Sequence, residues 1–144
     1  MKLLSLLFLT IILGKGCDNA TAQDMQNTVI DYTANTRGFY QNITIKDQLV
    51  SVSKDRNNND KAISTKISDA DWAALINDFK ELKLETLKDL KAPTEKRFYD
   101  GAAIANLKIT YKDKSYETTS FDHGFPPKEI KKLVDKINTF AKKE

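Results

Sequence analysis

The chain has 144 residues, 40% of them hydrophobic and 30% charged, which are the proportions of a soluble globular protein with one modest core. The formal net charge is +3, but Lys2 and Lys15 lie in a predicted leader, and without them 21 basic residues face 20 acidic ones. So balanced a charge excludes the strongly basic surface that binds nucleic acid or an anionic membrane.

Residues 1–16 are predicted to be a signal peptide. A positive start at Lys2 precedes eleven residues, 3–13, of which all but two are apolar. This run is too short to span a bilayer, and it has the length of the hydrophobic region of an export signal.

Cys17 is the only cysteine, and it follows Gly16 directly after the apolar run. A small residue before a cysteine at this place resembles the lipobox of bacterial lipoproteins. The resemblance implies cleavage before Cys17 and acylation of its thiol, with residues 17–27 as a polar, lipidated tether. The lipid would anchor the protein in the bacterial cell envelope, on the periplasmic or the surface side, without a membrane helix. The alternative is ordinary secretory cleavage after Ala22, which would remove the cysteine.

Four strands are predicted in the first half of the folded domain. Alternating apolar and polar residues, or runs of β-branched ones, cover 28–33, 39–46, 49–54 and 61–67. The loop at 55–60 is rich in Asp and Asn, but it lacks the central Gly and the terminal Glu of a calcium loop. We therefore predict a solvated loop and no metal site.

A helix is predicted to begin at Ser68, which can cap it, with Asp69 and Asp71 favouring the positive end of its dipole. Its apolar stripe comprises Trp72, Leu75, Ile76, Phe79 and Leu82. A shorter helical segment is predicted over 84–90, and Pro93 follows its end.

The stretch 103–140 predicts a hairpin followed by a helix. Residues 103–111 alternate, 112–115 form a polar turn and 116–121 return. A terminal helix begins after Pro127, and its apolar stripe comprises Ile130, Leu133, Val134, Ile137 and Phe140.

These elements predict a single α+β domain over 28–144. We expect an antiparallel sheet of five to six strands with both amphipathic helices packed on one face. The segments 43–47 and 109–113 are similar at an offset of 66 residues. This similarity is consistent with tandem hairpin-plus-helix halves, which either a duplication or convergence on a common unit explains.

Residues for catalysis are scarce. Cys17 is predicted to be acylated, no serine lies in a nucleophile elbow, and His123 is the only histidine. A metal site would need partners that His123 lacks. We therefore predict a protein that is not an enzyme and uses no cofactor. The alternative is a small envelope hydrolase that uses Asp122 and His123.

Two segments, 37–40 and 97–99, place an arginine beside two aromatic residues. Only three of the 23 basic residues are arginines, and arginine and tyrosine are typical of binding hot spots. We predict one partner-binding patch with Asp122 and His123 at its edge, formed by Arg37, Tyr40, Arg97 and Tyr99. The alternative is that the aromatic rings cap the core and the arginines stack on them or pair with an acid.

The order of elements over 29–142 resembles the emfourin class of small bacterial metalloprotease inhibitors. The matching pieces are 37–39, 68–75, 107–113 and 126–130. The resemblance implies the α+β fold and an inhibitor of a bacterial peptidase. From the residues and the lipobox resemblance we predict an exported, membrane-anchored, monomeric lipoprotein that acts as a non-catalytic binding module of unknown ligand, with a peptidase or an envelope protein as the candidate partner. Peptidase inhibition is an alternative.

Overall fold

The computed structural model describes residues 25–57, 59 and 63–142. The predicted signal peptide, Cys17 and most of the predicted tether therefore lie outside the described residues. Met25, which the sequence assigned to the tether, is 1% exposed and joins the core. The Thr28 N–H donates to the Met25 carbonyl at 3.2 Å. The packed domain thus includes at least three residues before the predicted boundary at 28.

The described residues form a seven-stranded antiparallel sheet. Its order is β4-β3-β2-β1-β5-β6, and β7 pairs with β5 on the same edge as β6. The strands are β1 (Val29–Thr36), β2 (Phe39–Lys46), β3 (Leu49–Ser53), β4 (Ile63–Lys66), β5 (Ile104–Tyr111), β6 (Lys114–Glu117) and β7 (Phe121–Asp122).

The register places the apolar residues of neighbouring strands on one face. Tyr32 of β1 lies opposite Ile43 of β2 and Leu107 of β5. Side chains directly opposite each other share a face, and alternate residues along a strand share it too. The fully buried residues on this face include Ile30, Tyr32, Ala34, Ile43, Ile45, Ala105, Leu107 and Ile109.

Two amphipathic helices, α1 (Asp69–Lys80) and α2 (Lys131–Phe140), cover this apolar face. Ser68 caps α1, because its Oγ accepts a hydrogen bond from the Asp71 N–H at 3.2 Å. A 3₁₀ turn at Lys128–Ile130 leads into α2. The buried stripes match the predicted ones except for Leu82, which lies past the end of α1 and is half-buried. Both stripes join the sheet in one core, so the predicted α+β architecture is confirmed.

The sheet has one strand more than the sequence predicted, because the return strand of the second hairpin is divided. β6 pairs Glu117 with Lys108, whereas β7 pairs Asp122 with Ile104, so the return strand carries one extra residue. At this bulge the Leu107 N–H donates to the Thr118 hydroxyl at 3.1 Å. A side chain replaces a backbone acceptor there, and the strand is interrupted.

The opposite face of the sheet is polar, and neither α1 nor α2 packs on it. It carries Thr33, Asn42, Thr44 and Asn106, all of them half-buried. The Thr44 hydroxyl donates to the Asp31 carboxylate at 2.8 Å. Within the described part of the chain, no helix is long and apolar enough to cross a membrane.

Candidate functional site

One end of the sheet gathers several loops, and we call it the loop end. The turn at Arg37 and Gly38 joins β1 to β2 there. A row of paired residues crosses four strands at this end, in the order Tyr40, Asn35, Ile104 and Asp122. Because directly opposite residues share a face, these four side chains lie on the face away from the helices.

Asp122 fixes a loop onto this end. Its buried carboxylate accepts four hydrogen bonds: from the Thr94 hydroxyl at 2.5 Å, the Lys96 N–H at 2.7 Å, the Arg97 N–H at 3.0 Å and the Arg97 guanidinium at 3.1 Å. We call this group of four residues the Asp122 clamp. It joins the 94–97 segment to β7 through one carboxylate.

The clamp is buried and ionised. The side chains of Arg97 and Asp122 are 9% and 0% exposed, and the guanidinium also donates to the Thr94 carbonyl at 2.9 Å. Burial by itself raises the pKa of Asp122, but the hydrogen bonds from Thr94, Arg97 and Lys96 outweigh it and lower the pKa to about 2. Asp122 therefore carries its charge throughout the neutral range.

The clamped segment presents two aromatic rings to solvent. It continues as a 3₁₀ turn, Lys96–Tyr99, in which Phe98 is 71% and Tyr99 72% exposed. The Arg97 guanidinium carbon lies 4.3 Å from the centroid of the Phe98 ring. A Cβ atom at Gly101 would lie 2.8 Å from Cε2 of Tyr99, so a glycine leaves room for this ring.

Three further apolar side chains are exposed at the loop end. Phe125 follows the turn after β7, and the Lys96 ammonium lies 4.1 Å from its ring centroid. Phe39 begins β2 and Ile104 begins β5, both at the loop end. We call this set the aromatic surface: Phe39, Phe98, Tyr99, Ile104 and Phe125. Exposed apolar groups of this kind mark interaction sites in soluble proteins.

His123 lies on the other side of the sheet from Asp122. Its Nδ1 is 2.7 Å from the Tyr32 hydroxyl, and its ring centroid is 5.5 Å from that of Phe39. Burial, and then the positive charge of Lys142, lower the pKa of His123. The two neighbours thus have separate partners: Asp122 contacts Arg97, and His123 contacts Tyr32.

All six predicted binding residues lie at the loop end, but in different environments. Arg37 and Tyr99 are exposed, and Tyr40 is half-buried on the polar face. Arg97 and Asp122 are enclosed in the clamp, and half-buried His123 packs on the helix side. Whether these residues contact a partner stays a prediction.

Sequence reasoning missed Phe39, Phe98, Ile104 and Phe125 as site residues. The first two stood in the segments singled out for their arginines, so the aromatic composition of 37–40 and 97–99 was the available signal. Ile104 lies out of phase with the apolar alternation of 103–111, which was the available signal that it faces away from the core. Phe125 lies in a turn between Gly124 and Pro126, where no periodicity indicates its exposure.

A groove of about 450 Å³ lies beside the clamp, bounded by the 88–92 segment, Glu95, Arg97, Thr119 and Ser120. Its lining mixes lysines with carboxylates and contains no histidine. Among the described residues, no group of three or more His, Cys, Asp or Glu side chains converges on a metal site.

Comparison of the chain with protein families, curated proteins and solved structures finds no match. The resemblance to emfourins therefore stays a prediction that rests on the short matching segments. A functional proposal for this chain therefore rests on the chemistry of the loop end.

Proposed function

We propose that this protein is an exported, membrane-anchored lipoprotein that binds a protein partner at the loop end without catalysing a reaction. The observation that carries the proposal is the exposure of Phe98 and Tyr99 on a segment fixed by a buried carboxylate. Aromatic side chains contribute large contact areas to interfaces. Rings that become buried when a partner binds often contribute most of the binding energy.

The clamp supports binding because it orders the segment before a partner arrives. Ordering a loop and its side chains costs free energy on association, and a pre-ordered loop avoids much of that cost. Thr94, Lys96 and Arg97 are all bonded to Asp122, so the turn that follows starts from a fixed backbone. Loops on a rigid scaffold are where binding residues concentrate.

The hydrolase alternative receives less support from the same geometry. A general base needs its orienting carboxylate within hydrogen-bond reach. The Asp122 carboxylate is occupied by the clamp, and the His123 imidazole is bonded to Tyr32. Peptidase inhibition is a special case of partner binding, in which the loop end would enter the cleft of the enzyme.

The proposal is tested by capture of a partner from envelope extract. The full chain and two variants serve as bait: Phe98→Ala with Tyr99→Ala, and Leu49→Ala as the matched control. Leu49 is also an exposed apolar residue, but it begins β3 at the far end of the sheet. We expect the unmodified chain and the Leu49 variant to capture the same protein, and the double variant to lose it. Equal capture by all three, or no capture by any, contradicts the proposal.

A further inference from the structure

All three arginines of the chain lie at the loop end. Arg37 is in the turn between β1 and β2, and Arg97 belongs to the clamp. Arg56 follows β3, and its Nη2 donates to the Thr36 carbonyl at 2.8 Å, so it reaches the residue before Arg37. Lysine supplies every other basic side chain. Because protein interfaces are enriched in arginine and depleted in lysine, this distribution points to the loop end.

Two of these arginines, Arg37 and Arg56, are exposed, and we call them the arginine pair. Arg97 is paired with Asp122, but neither member of the arginine pair has a carboxylate partner among the described residues. Arg56 donates to the Thr36 carbonyl, and Arg37 forms no hydrogen bond within the described part of the chain. A guanidinium has five N–H donors in a planar fork that matches the two oxygens of a carboxylate. The arginine pair therefore keeps donors available to a ligand.

The carboxylates of the loop end do not neutralise the arginine pair. Both oxygens of the Asp55 carboxylate accept backbone N–H groups of its own loop, at 2.9 and 3.0 Å. Glu95 and Asp100 flank the clamped 3₁₀ turn, which is held on β7. In the sheet, β7 lies beyond β5, whereas the arginine pair lies at the turn between β2 and β1. The loop end is therefore positive on the β1–β2 side, and Glu95 and Asp100 lie on the other side.

We propose that the arginine pair binds the carboxylates of an acidic segment of the protein partner. The pair borders the aromatic surface, because Thr36, which holds Arg56, lies opposite Phe39 across the hairpin. A segment that buries its apolar side chains on the aromatic surface would therefore bring its carboxylates to the arginine pair. Complementary charge of this kind steers association and selects the partner. The inference rests on the proposed function and gives the chemistry of the partner.

The direction of β1 favours a protein over lipid phosphates as the ligand of these arginines. β1 begins at Val29, close to Met25, where the described chain starts, and it runs to Thr36 at the loop end. Eight residues of extended strand cover about 24 Å. A lipid on Cys17 therefore favours a bilayer at the far end of the sheet, and the arginine pair lies at the end away from it.

Peptide binding by the full chain tests the inference without the natural partner. The probes are two fluorescent hexapeptides, one of alternating glutamate and phenylalanine and the other of alternating lysine and phenylalanine. Neutral phosphatidylcholine nanodiscs hold the protein, and fluorescence anisotropy measures binding. At low salt we expect the acidic peptide to bind about tenfold more tightly than the basic one, and at high salt the difference should shrink. Equal binding of the two peptides, or tighter binding of the basic one, overturns the inference.

Charge reversal locates the site on the protein. Arg37→Glu with Arg56→Glu should abolish the preference for the acidic peptide. The matched control is Lys46→Glu with Lys66→Glu, which changes the net charge equally on exposed residues at the far end of the sheet and should keep the preference. Arg37→Glu alone removes no contact among the described residues, and it should reduce the preference even if the double variant does not fold. A preference that survives in these arginine variants, or falls equally in the lysine control, overturns the assignment.

The outcomes separate this inference from the proposed function. A preference for the acidic peptide without capture of any envelope protein supports the arginine pair and refutes the proposed function. Capture that needs the exposed rings but persists in the double arginine variant supports the proposed function and overturns the inference. Attachment of phosphatidylglycerol vesicles that needs the arginine pair, without a preference for the acidic peptide, assigns the pair to lipid and also overturns it.

Discussion

At the scale of single residues, Asp122 is the most consequential side chain at the loop end. Its carboxylate is fully buried and receives hydrogen bonds from Thr94, Lys96 and Arg97. These bonds lower its pKa from 3.8 to about 2. A lowered folded-state pKa means that the unfolded chain binds the proton more tightly. The stabilisation is therefore complete above pH 3.8 and is lost as the pH falls toward 2.

Acid unfolding of the Asp122→Asn variant tests this contribution. The shift corresponds to about 2 kcal/mol, since one pKa unit is worth about 1.4 kcal/mol. We expect the variant to be less stable at pH 7, because Arg97 loses its buried counter-charge. Between pH 5 and 2, the free energy of unfolding of the variant should also fall by about 2 kcal/mol less than that of the unmodified chain. The measurement is the free energy of unfolding in urea at each pH.

An exposed carboxyl provides the control for that series. Asp113 lies in the turn between β5 and β6, and Asp113→Asn should leave the acid-dependent loss unchanged. If Asp122→Asn loses as much stability in acid as the control does, the clamp is not the acid-sensitive element.

The sequence brought Asp122 and His123 to attention, but it could not assign their roles. Side chains at neighbouring positions of a strand point to opposite faces. Asp122 and His123 are adjacent in the chain and therefore lie on opposite sides of the sheet. Arg97 meets Asp122 across 25 positions, and Tyr32 meets His123 across 91. No local spacing encodes contacts at such separations. Arg97 was therefore predicted as a binding residue, with stacking on the rings or pairing with an acid as the alternative, and the structure shows it stacked on Phe98 and paired with Asp122.

At the scale of elements, the sequence signals were strong enough to predict the residue at which α1 begins. Ser68 caps the helix as expected, and its Oγ accepts from the Asp71 N–H. We predict that Ser68→Ala lowers the free energy of unfolding by about 1 kcal/mol, the usual cost of losing an N-cap. Ser64→Ala, in the exposed strand β4, is the control and should change stability little. Equal effects of the two substitutions would show that the cap is not stabilising.

Periodicity predicted most strands and both long helices, because each buries one face and repeats at the period of its own backbone. Two features depended on distant partners and were not predictable. The break between β6 and β7 requires the Thr118 hydroxyl to bond the Leu107 N–H. The 3₁₀ turn Lys96–Tyr99 requires the Asp122 carboxylate beneath its first residues.

At the scale of the whole molecule, the proposed anchor places the domain at a membrane surface. The prediction rests on Cys17, the single cysteine after a short apolar run. A Cys17→Ala protein should leave the membrane fraction of a bacterial host and become soluble. Fractionation followed by N-terminal sequencing checks this. A soluble unmodified protein that begins at Gln23 would show cleavage after Ala22 and contradict the lipid anchor.

The central claim is that the aromatic surface binds a partner while the clamp only supports it. Its most direct test is the dissociation constant of the captured partner for the unmodified chain, Tyr99→Ala and Leu49→Ala. Tyr99 is 72% exposed, so its loss should leave the melting temperature nearly unchanged. A hot-spot residue is worth about 2 kcal/mol, which corresponds to a Kd about 30-fold weaker. We predict this weakening for Tyr99→Ala and none for Leu49→Ala. An unchanged Kd for Tyr99→Ala, measured on folded protein, would contradict the claim.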